Sequence, residues 1–344
     1  MKATARDLAT KIRRNLFSTW YNVVITLTLS GVVAVVGTKA LRWILIRAQW
    51  QVITTNFRVL MTGRYPKDEV WRIIVSILIV FTLAVITRIV RKQKKTDVYR
   101  WITVAWILSL PVITILLRGF GEDNNVLPGV KSEIWSGLML TLVLAVIGIT
   151  ASFPLGILLA LGRRSKLPVF RLVSTAYIEL IRGVPLISVL FMSQLLLPLF
   201  LPPQIRLGTV VRALTGMTMF SAAYTAENIR GGLASVPKGQ YEAARVLGLN
   251  SALVMILVVL PQALRAVIPA LVGQFISLFK DTTLVVIVGL LDLLGIAKAV
   301  TGQVQFIGLH QELYCFVALV FFICCYSMSR ASRRLEIALG VGNR

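Results

Sequence analysis

The amino-acid sequence predicts an all-α integral membrane protein with about eight transmembrane helices, and three observations carry that prediction. Of its 344 residues 57% are hydrophobic, and mean hydropathy is +0.81, far more apolar surface than one soluble core of this length needs to bury. Apolar runs recur at residues 22–38, 73–87, 101–117, 135–162, 184–201 and 313–328, several of them near the roughly 20 residues that cross a bilayer as a helix. Strand-like alternation is absent, so helices rather than a barrel are expected.

The third observation is where the charge lies. A net charge of +23 would suggest a nucleic acid partner for a soluble protein, but here Lys and Arg sit mainly in short loops between apolar runs. That is the distribution of cytoplasmic loops, and no nucleic acid is expected. The clusters are Lys2, Arg6, Lys11, Arg13 and Arg14; Arg88, Arg91, Lys92, Lys94, Lys95 and Arg100; Arg163, Arg164, Lys166 and Arg171; and Arg330, Arg333 and Arg334. Residues 121–133 carry three acids against one lysine, and 202–206 are poor in charge. Both should face outward, which leaves both termini cytoplasmic. Residues 47–72 break the alternation with Arg47, Arg58, Arg64, Lys67 and Arg72; Trp43 and Trp50 suit an interfacial helix there.

A basic stretch precedes the first apolar run without a clean small-residue cleavage pattern, so an uncleaved first span is expected. Near residue 120 glycine, proline and acidic residues interrupt the apolar pattern. The expected organisation is an N-terminal extension over 1–120 with three transmembrane helices, an extracytoplasmic loop over 121–134, a larger transmembrane domain over 135–335, and a cytoplasmic tail over 336–344. No internal repeat is evident, which argues against a self-contained secondary transporter. Cys315, Cys324 and Cys325 share the last apolar run without paired-ligand spacing, and His310 is the only histidine. Neither a metal site nor a disulfide is expected.

Residues 252–297 contain three apolar runs separated by PQALR and KDTT. The first, nine residues long, makes only about 14 Å of helix against a hydrocarbon core of about 30 Å. Joining the second and third gives a span of adequate length, with the first lying along the inner membrane face. Lys280, Asp281, Thr282 and Thr283 then fall near mid-bilayer, where an ionised group costs roughly 2.5–3.5 kcal/mol unless paired or wetted. The functional reading is a pathway lining; the plain one is a Lys280–Asp281 surface pair in an outward loop.

Before that region, Gln240 to Leu247 can form two helical turns, ended by Gly248 as a left-handed cap. Tyr241, Ala244 and Gly248 or Leu247 fall on one side, Ala243 and Ala244 keep a face low enough for another protein to approach, and Glu242 can pair with Arg245. An ordinary solvated loop helix is the alternative.

EAARVLGLNSALVMILVVLP (242–261) resembles the signature of the membrane subunits of bacterial ABC importers: EAA, three residues, Gly, nine residues, then I-x-L-P, with Val258 here in the isoleucine position. YIELIRGVPLI (177–187), AYTAENIRGGLASVPKGQYEAARVLGL (223–249) and LPQALRAVIPALVGQFISLFKDTTL (260–284) narrow the resemblance to polar amino acid permeases of the histidine and glutamine type. It covers roughly 135–335, and the three preceding spans look like the longer subtype found in general amino acid importers. The resemblance implies a five-helix type I importer core. Tyr241, Glu242, Ala243, Ala244, Arg245 and Gly248 would form a cytoplasmic coupling helix seated in an ABC ATPase dimer. It also implies an identical or homologous second permease, an extracytoplasmic amino acid binding protein, and the bacterial cytoplasmic (inner) membrane. The chain has no Gly-Lys dipeptide and so no P-loop; ATP and Mg belong to the partner, and no cofactor or enzymatic activity is expected of this chain.

Glu179 and Arg182, and likewise Glu227 and Arg230, stand three residues apart, each able to neutralise itself across one turn. A structural tether near the inner face is preferred to substrate contact. Gly183 and Pro185 predict a bend. Along the path, Asp281 suits an ammonium, Lys280 and the Thr282 and Thr283 hydroxyls suit a carboxylate, and Gln274 lies two turns earlier on about the same face. Adjacent helix positions point about 100° apart, so these cannot all face one ligand. Asp292 is expected at the outer surface. A self-contained ion-coupled carrier or channel is the competing function and would leave the EAA turn idle. A scaffold or anchor would not explain KDTT.

Overall fold

The computed structural model describes residues 14–93, 96–121 and 127–340. Lys2, Arg6, Lys11, Arg13, Lys94, Lys95, Glu122, Asp123 and the tail beyond Gly340 lie outside the described residues. The described residues are helical throughout, with isolated β-bridges only. Two compact units divide the chain, 1–52 and 53–344.

In the first unit, α1 (Trp20–Arg42) runs on through a π-helical turn, Trp43–Arg47. It has no buried residue, as suits a helix solvated by lipid. The Trp43 and Trp50 rings meet edge to face at 5.8 Å, and Trp50 Nε1 donates to Ile44 O. The helix expected within 47–72 is present as α2, Gln51–Thr62.

The second unit takes in most of α2 and then the pair α3 (Val70–Gln93) and α4 (Thr96–Arg118), linked where Trp106 Nε1 donates to Thr87 Oγ1. Three hydrogen bonds fasten this region together: Tyr65 Oη donates to Leu117 O at 2.8 Å, Arg72 Nη1 to Pro128 O at 2.9 Å, and the Arg64 amide to Ser136 Oγ at 2.8 Å. Burial pushes the Tyr65 phenol above its usual pKa while nearby Arg72 pulls it back. Gly63 and Gly137 meet in this knot, both at positive φ; a side chain on Gly137 would stand 2.7 Å from Leu60 O.

The remaining helices are α5 (Gly137–Arg163), α6 (Pro168–Arg182), α7 (Leu186–Leu195), α8 (Thr209–Ser235), α9 (Lys238–Val246), α10 (Leu260–Asp281), α11 (Leu293–Thr301) and α12 (His310–Ala338). α8 is the hub, packed on α5, α7 and α10. Small residues let the backbones close in: a Cβ on Gly156 would lie 2.5 Å from Thr225 Cγ2, and one on Gly232 2.6 Å from Ala263 O. Such contacts hold helices together where lipid supplies no hydrophobic drive. Leu140, Leu144, Leu190, Met217 and Leu278 fill one core, and Ala160, Ile178, Ala226, Ile229 and Val259 the other.

Six helices among the described residues are long and apolar enough to cross a membrane, or seven if α6 and α7 count as one span bent by 111°. That bend falls on Gly183 and Pro185, so the expected run 184–201 is not a continuous helix. α7 ends at Leu195 and a 3-10 turn, Leu197–Phe200, comes after it. α8, at 27 residues, has the length of a span but is too polar to stand out as an apolar run in the sequence.

The 252–297 region differs from expectation. Its first apolar run does not lie apart: Ser251–Leu253, a π-helical stretch Val254–Val259 and α10 form one helix that continues through 3-10 turns to Val288. Pro261 causes no break because the wider π turn before it, Val254–Val259, takes up its ring. KDTT is therefore helical rather than a loop.

Candidate functional site

Two places hold the residues that the sequence singles out, α9 at one end of the helical core and the polar stretch of α10 within it. α9 covers Lys238–Val246, and Gly248 closes it at φ 82°, its amide donating to Arg245 O at 2.9 Å. Ala244 is buried in the chain's own core with Val254 and Val259. It is not part of a low outer face as expected; Ala243 alone of the two alanines is exposed. Tyr241 also turns inward, its hydroxyl accepting from Arg164 Nη1 at 3.3 Å. Glu242 and Arg245 are exposed and form no ion pair among the described residues: both extend into solvent, where such a pair gains little. Leu247, at 80% exposed, and Val246, at 88% and not singled out by the sequence alone, dominate the outer edge. Gln262, also not singled out, joins α9 to α10 by donating from Nε2 to Gln240 Oε1 at 3.1 Å and to Val258 O at 2.9 Å.

Along α10, Leu278 packs against Gly148, midway along α5, within 3.4 Å of a Cβ built there. Asp281 follows about one turn later, at the end of α10. Asp281 is half-buried and enters no ion pair among the described residues, and Lys280 is exposed, so the two are not a surface pair. The Gln274 side-chain amide, half-buried, makes no hydrogen bond among the described residues. Thr282 is fully buried and its hydroxyl donates to Phe279 O at 2.7 Å. Thr283 Oγ1 likewise donates to Lys280 O at 2.9 Å but stays partly accessible. The arrangement leaves an unpaired carboxylate and a free amide two turns apart on one helix.

Asp292 does not reach the outer surface. It is fully buried and caps α11, accepting from the Gly295 and Leu294 amides at 2.9 and 3.2 Å.

The acidic and basic pairs form a wider network. Glu227 holds Arg230 through both carboxylate oxygens, at 2.6 and 2.9 Å, as expected. Glu179 does not pair with Arg182: it takes Arg163 at 2.8 Å, while Arg182 and Arg163 approach Glu227 at 3.6 and 3.3 Å. Helix α6 meets α5 and α8 here, so partners on neighbouring helices lie nearer than the one a turn away. Arg163, which in the sequence bears only on topology, is the centre that joins the two glutamates.

Residues 152–339 match the family of inner membrane components of binding-protein-dependent transport systems. The chain belongs to this family. Over 347 aligned positions it is 40% identical to the inner membrane amino-acid ABC transporter permease protein YhdY of Escherichia coli (strain K12), covering 96% of this chain and 93% of the relative. It is 50% identical over 211 positions to the glutamate/glutamine/aspartate/asparagine transport system permease protein BztC of Rhodobacter capsulatus, covering 61% of this chain and 49% of that one. A crystal structure of an amino acid ABC transporter with histidines superposes with a TM-score of 0.52 at 32% identity, over 59% of this chain and 92% of the solved one. As a component of this kind the chain is a membrane subunit and not an enzyme; nucleotide hydrolysis is separate from it.

Proposed function

We propose that the chain is the permease subunit of an ATP-binding cassette importer that moves polar L-amino acids across the bacterial cytoplasmic membrane by alternating access. The amino acid class follows the names of YhdY and BztC, and α8 counts as a span, which brings the total to eight. α9 is the coupling helix for a separate ATPase dimer that holds ATP and Mg. A second permease, identical or homologous, completes the pathway, and an extracytoplasmic binding protein delivers the substrate. Asp281 receives the ammonium and Gln274 and Thr283 lie beside the path.

The observation that carries this reading is the two-sided character of α9. Its inner side is sealed by Ala244 and Tyr241 and tied to α10 through Gln262, while Val246 and Leu247 stand almost wholly exposed at its end. Two large apolar side chains beside a short polar helix lack burial worth roughly 1.5–3 kcal/mol each, which a protein cleft would supply.

The test is co-purification of the permease with its ATPase, then ATP turnover and radiolabelled amino acid uptake in proteoliposomes supplied with binding protein. Val246→Asp with Leu247→Asp should lose the ATPase and uptake while membrane insertion survives. Retained association and uptake in that double variant would reject the assignment.

A further inference from the structure

A cavity of about 640 Å³ opens at the end of the helical core opposite α9. Arg118 and Phe120, at the end of α4, form one wall; Lys131, Glu133 and Trp135, before α5, and Arg206, before α8, form the other. It thus exists only where the N-terminal extension meets the larger domain. Its size lies within the range of small-molecule sites. Ile147, Val210 and Leu214 make part of the lining apolar, while Arg118, Glu133 and Arg206 are themselves exposed. Trp135 is 4% exposed, and its indole N–H is buried without an acceptor. An orphaned buried donor in a cavity lining is costly unless a ligand accepts from it. The side chains of Arg118, Arg206 and Glu133 form no hydrogen bond or ion pair among the described residues.

We propose that this cavity binds a dicarboxylic amino acid, with its two carboxylates on Arg118 and Arg206, its ammonium on Glu133, and the Trp135 N–H donating to a carboxylate oxygen. Among the cavity's charged groups, the two guanidiniums and the carboxylate match two carboxylates and one ammonium, Lys131 adds a further cation to the wall that suits a net-negative ligand, and the arginine fork suits carboxylate geometry. A basic amino acid would set its second cation against an arginine. The inference rests on the amino acid importer reading and adds to it a site, apart from the α10 path, to which the extension contributes a wall.

The experiment uses the permease–ATPase complex in phosphatidylcholine nanodiscs without binding protein, and measures radiolabelled L-glutamate and L-arginine by equilibrium dialysis. Saturable glutamate binding without arginine binding is expected. Arg118→Gln and Arg206→Gln should each weaken it about tenfold or more, Arg118→Lys should restore part of the loss, and Trp135→Phe should weaken it several-fold. Glutamate binding that is absent, or equal in the double Arg118→Gln/Arg206→Gln variant and the native complex, would overturn the proposal. So would binding that appears only when phosphatidylglycerol is added and is then unaffected by glutamate, which would mark a lipid headgroup site. Uptake with binding protein is measured in parallel: intact uptake with no cavity binding sinks this inference alone, whereas absent uptake of every amino acid sinks the importer reading.

Discussion

Gln240 on α9 and Gln262 on α10 are joined side chain to side chain at 3.1 Å, which ties the exposed helix to the one that carries Asp281. Ala244 packs in the same core as Val254 and Val259, so the link is both polar and apolar, and under the proposed coupling a push on α9 would reach α10 through these contacts. Because Gln262 also donates to Val258 O, in the π-helical stretch, the bond anchors the start of α10.

Replacing Gln262 by Leu removes that tie without removing either helix. A neutral hydrogen bond contributes about 1 kcal/mol, so ATPase association should persist while amino acid uptake per ATP hydrolysed falls several-fold. The check is the ratio of uptake to ATP turnover in proteoliposomes, and an unchanged ratio would show that force passes by the apolar contact alone.

The charged network separates two glutamates that look equivalent in sequence. Glu227 has a side chain 23% exposed and touches Arg163, Arg182 and Arg230, whereas Glu179 is 57% exposed and meets Arg163 alone among the described residues. Glu227→Gln should destabilise the fold by about 1–3 kcal/mol. Glu179→Gln should cost under about 1 kcal/mol, as exposed pairs do. Thermal unfolding of the detergent-solubilised variants decides it; equal losses would mean that burial does not set the strength of this network.

Much of this architecture is legible in sequence because membrane spans announce themselves by length and hydropathy, and because Gly248 and the Gly183–Pro185 pair fix local backbone. The features that escape sequence depend on neighbours. α8 hides its span behind Glu227 and Arg230, whose charge is absorbed by ion pairs rather than by hydropathy. Helical spacing points Glu179 to Arg182, but a third partner 16 positions away, Arg163, is nearer in space. Thr282 and Asp292 look polar and therefore available, whereas both spend their oxygens inside the fold. Asn, Asp, Ser or Thr one residue before a helix hints at a cap, and Asp292 before Leu293 carries that hint in the sequence.

That cap gives a prediction of its own. Asp292 accepts two amides at the start of α11 and is fully buried. Asp292→Ala strands those donors and should cost about 2 kcal/mol, the upper end for lost caps. Asp292→Asn keeps an acceptor oxygen and should cost clearly less. Denaturant or thermal midpoints of the two variants check the order, and a reversed order would remove the capping account.

Finally, the residues of α10 sort by what their polar atoms are already doing. Thr282 Oγ1 is buried on its own helix at Phe279 O, so Thr282→Val should leave the uptake KM within about twofold, since a bond back to the preceding turn contributes little. Asp281 and Gln274 have no such internal partner among the described residues, and Asp281 is half-buried one turn beyond Leu278, which packs on Gly148. An unpaired ion there costs roughly 2.5–3.5 kcal/mol on insertion scales, a penalty with no structural return in the isolated chain. Asp281→Asn should therefore keep or raise stability while weakening uptake by about tenfold or more, the worth of a charged hydrogen bond to substrate, and Gln274→Ala should weaken it less. Uptake kinetics beside thermal stability tell the roles apart: a loss of stability with unchanged KM in Asp281→Asn would make it a structural residue.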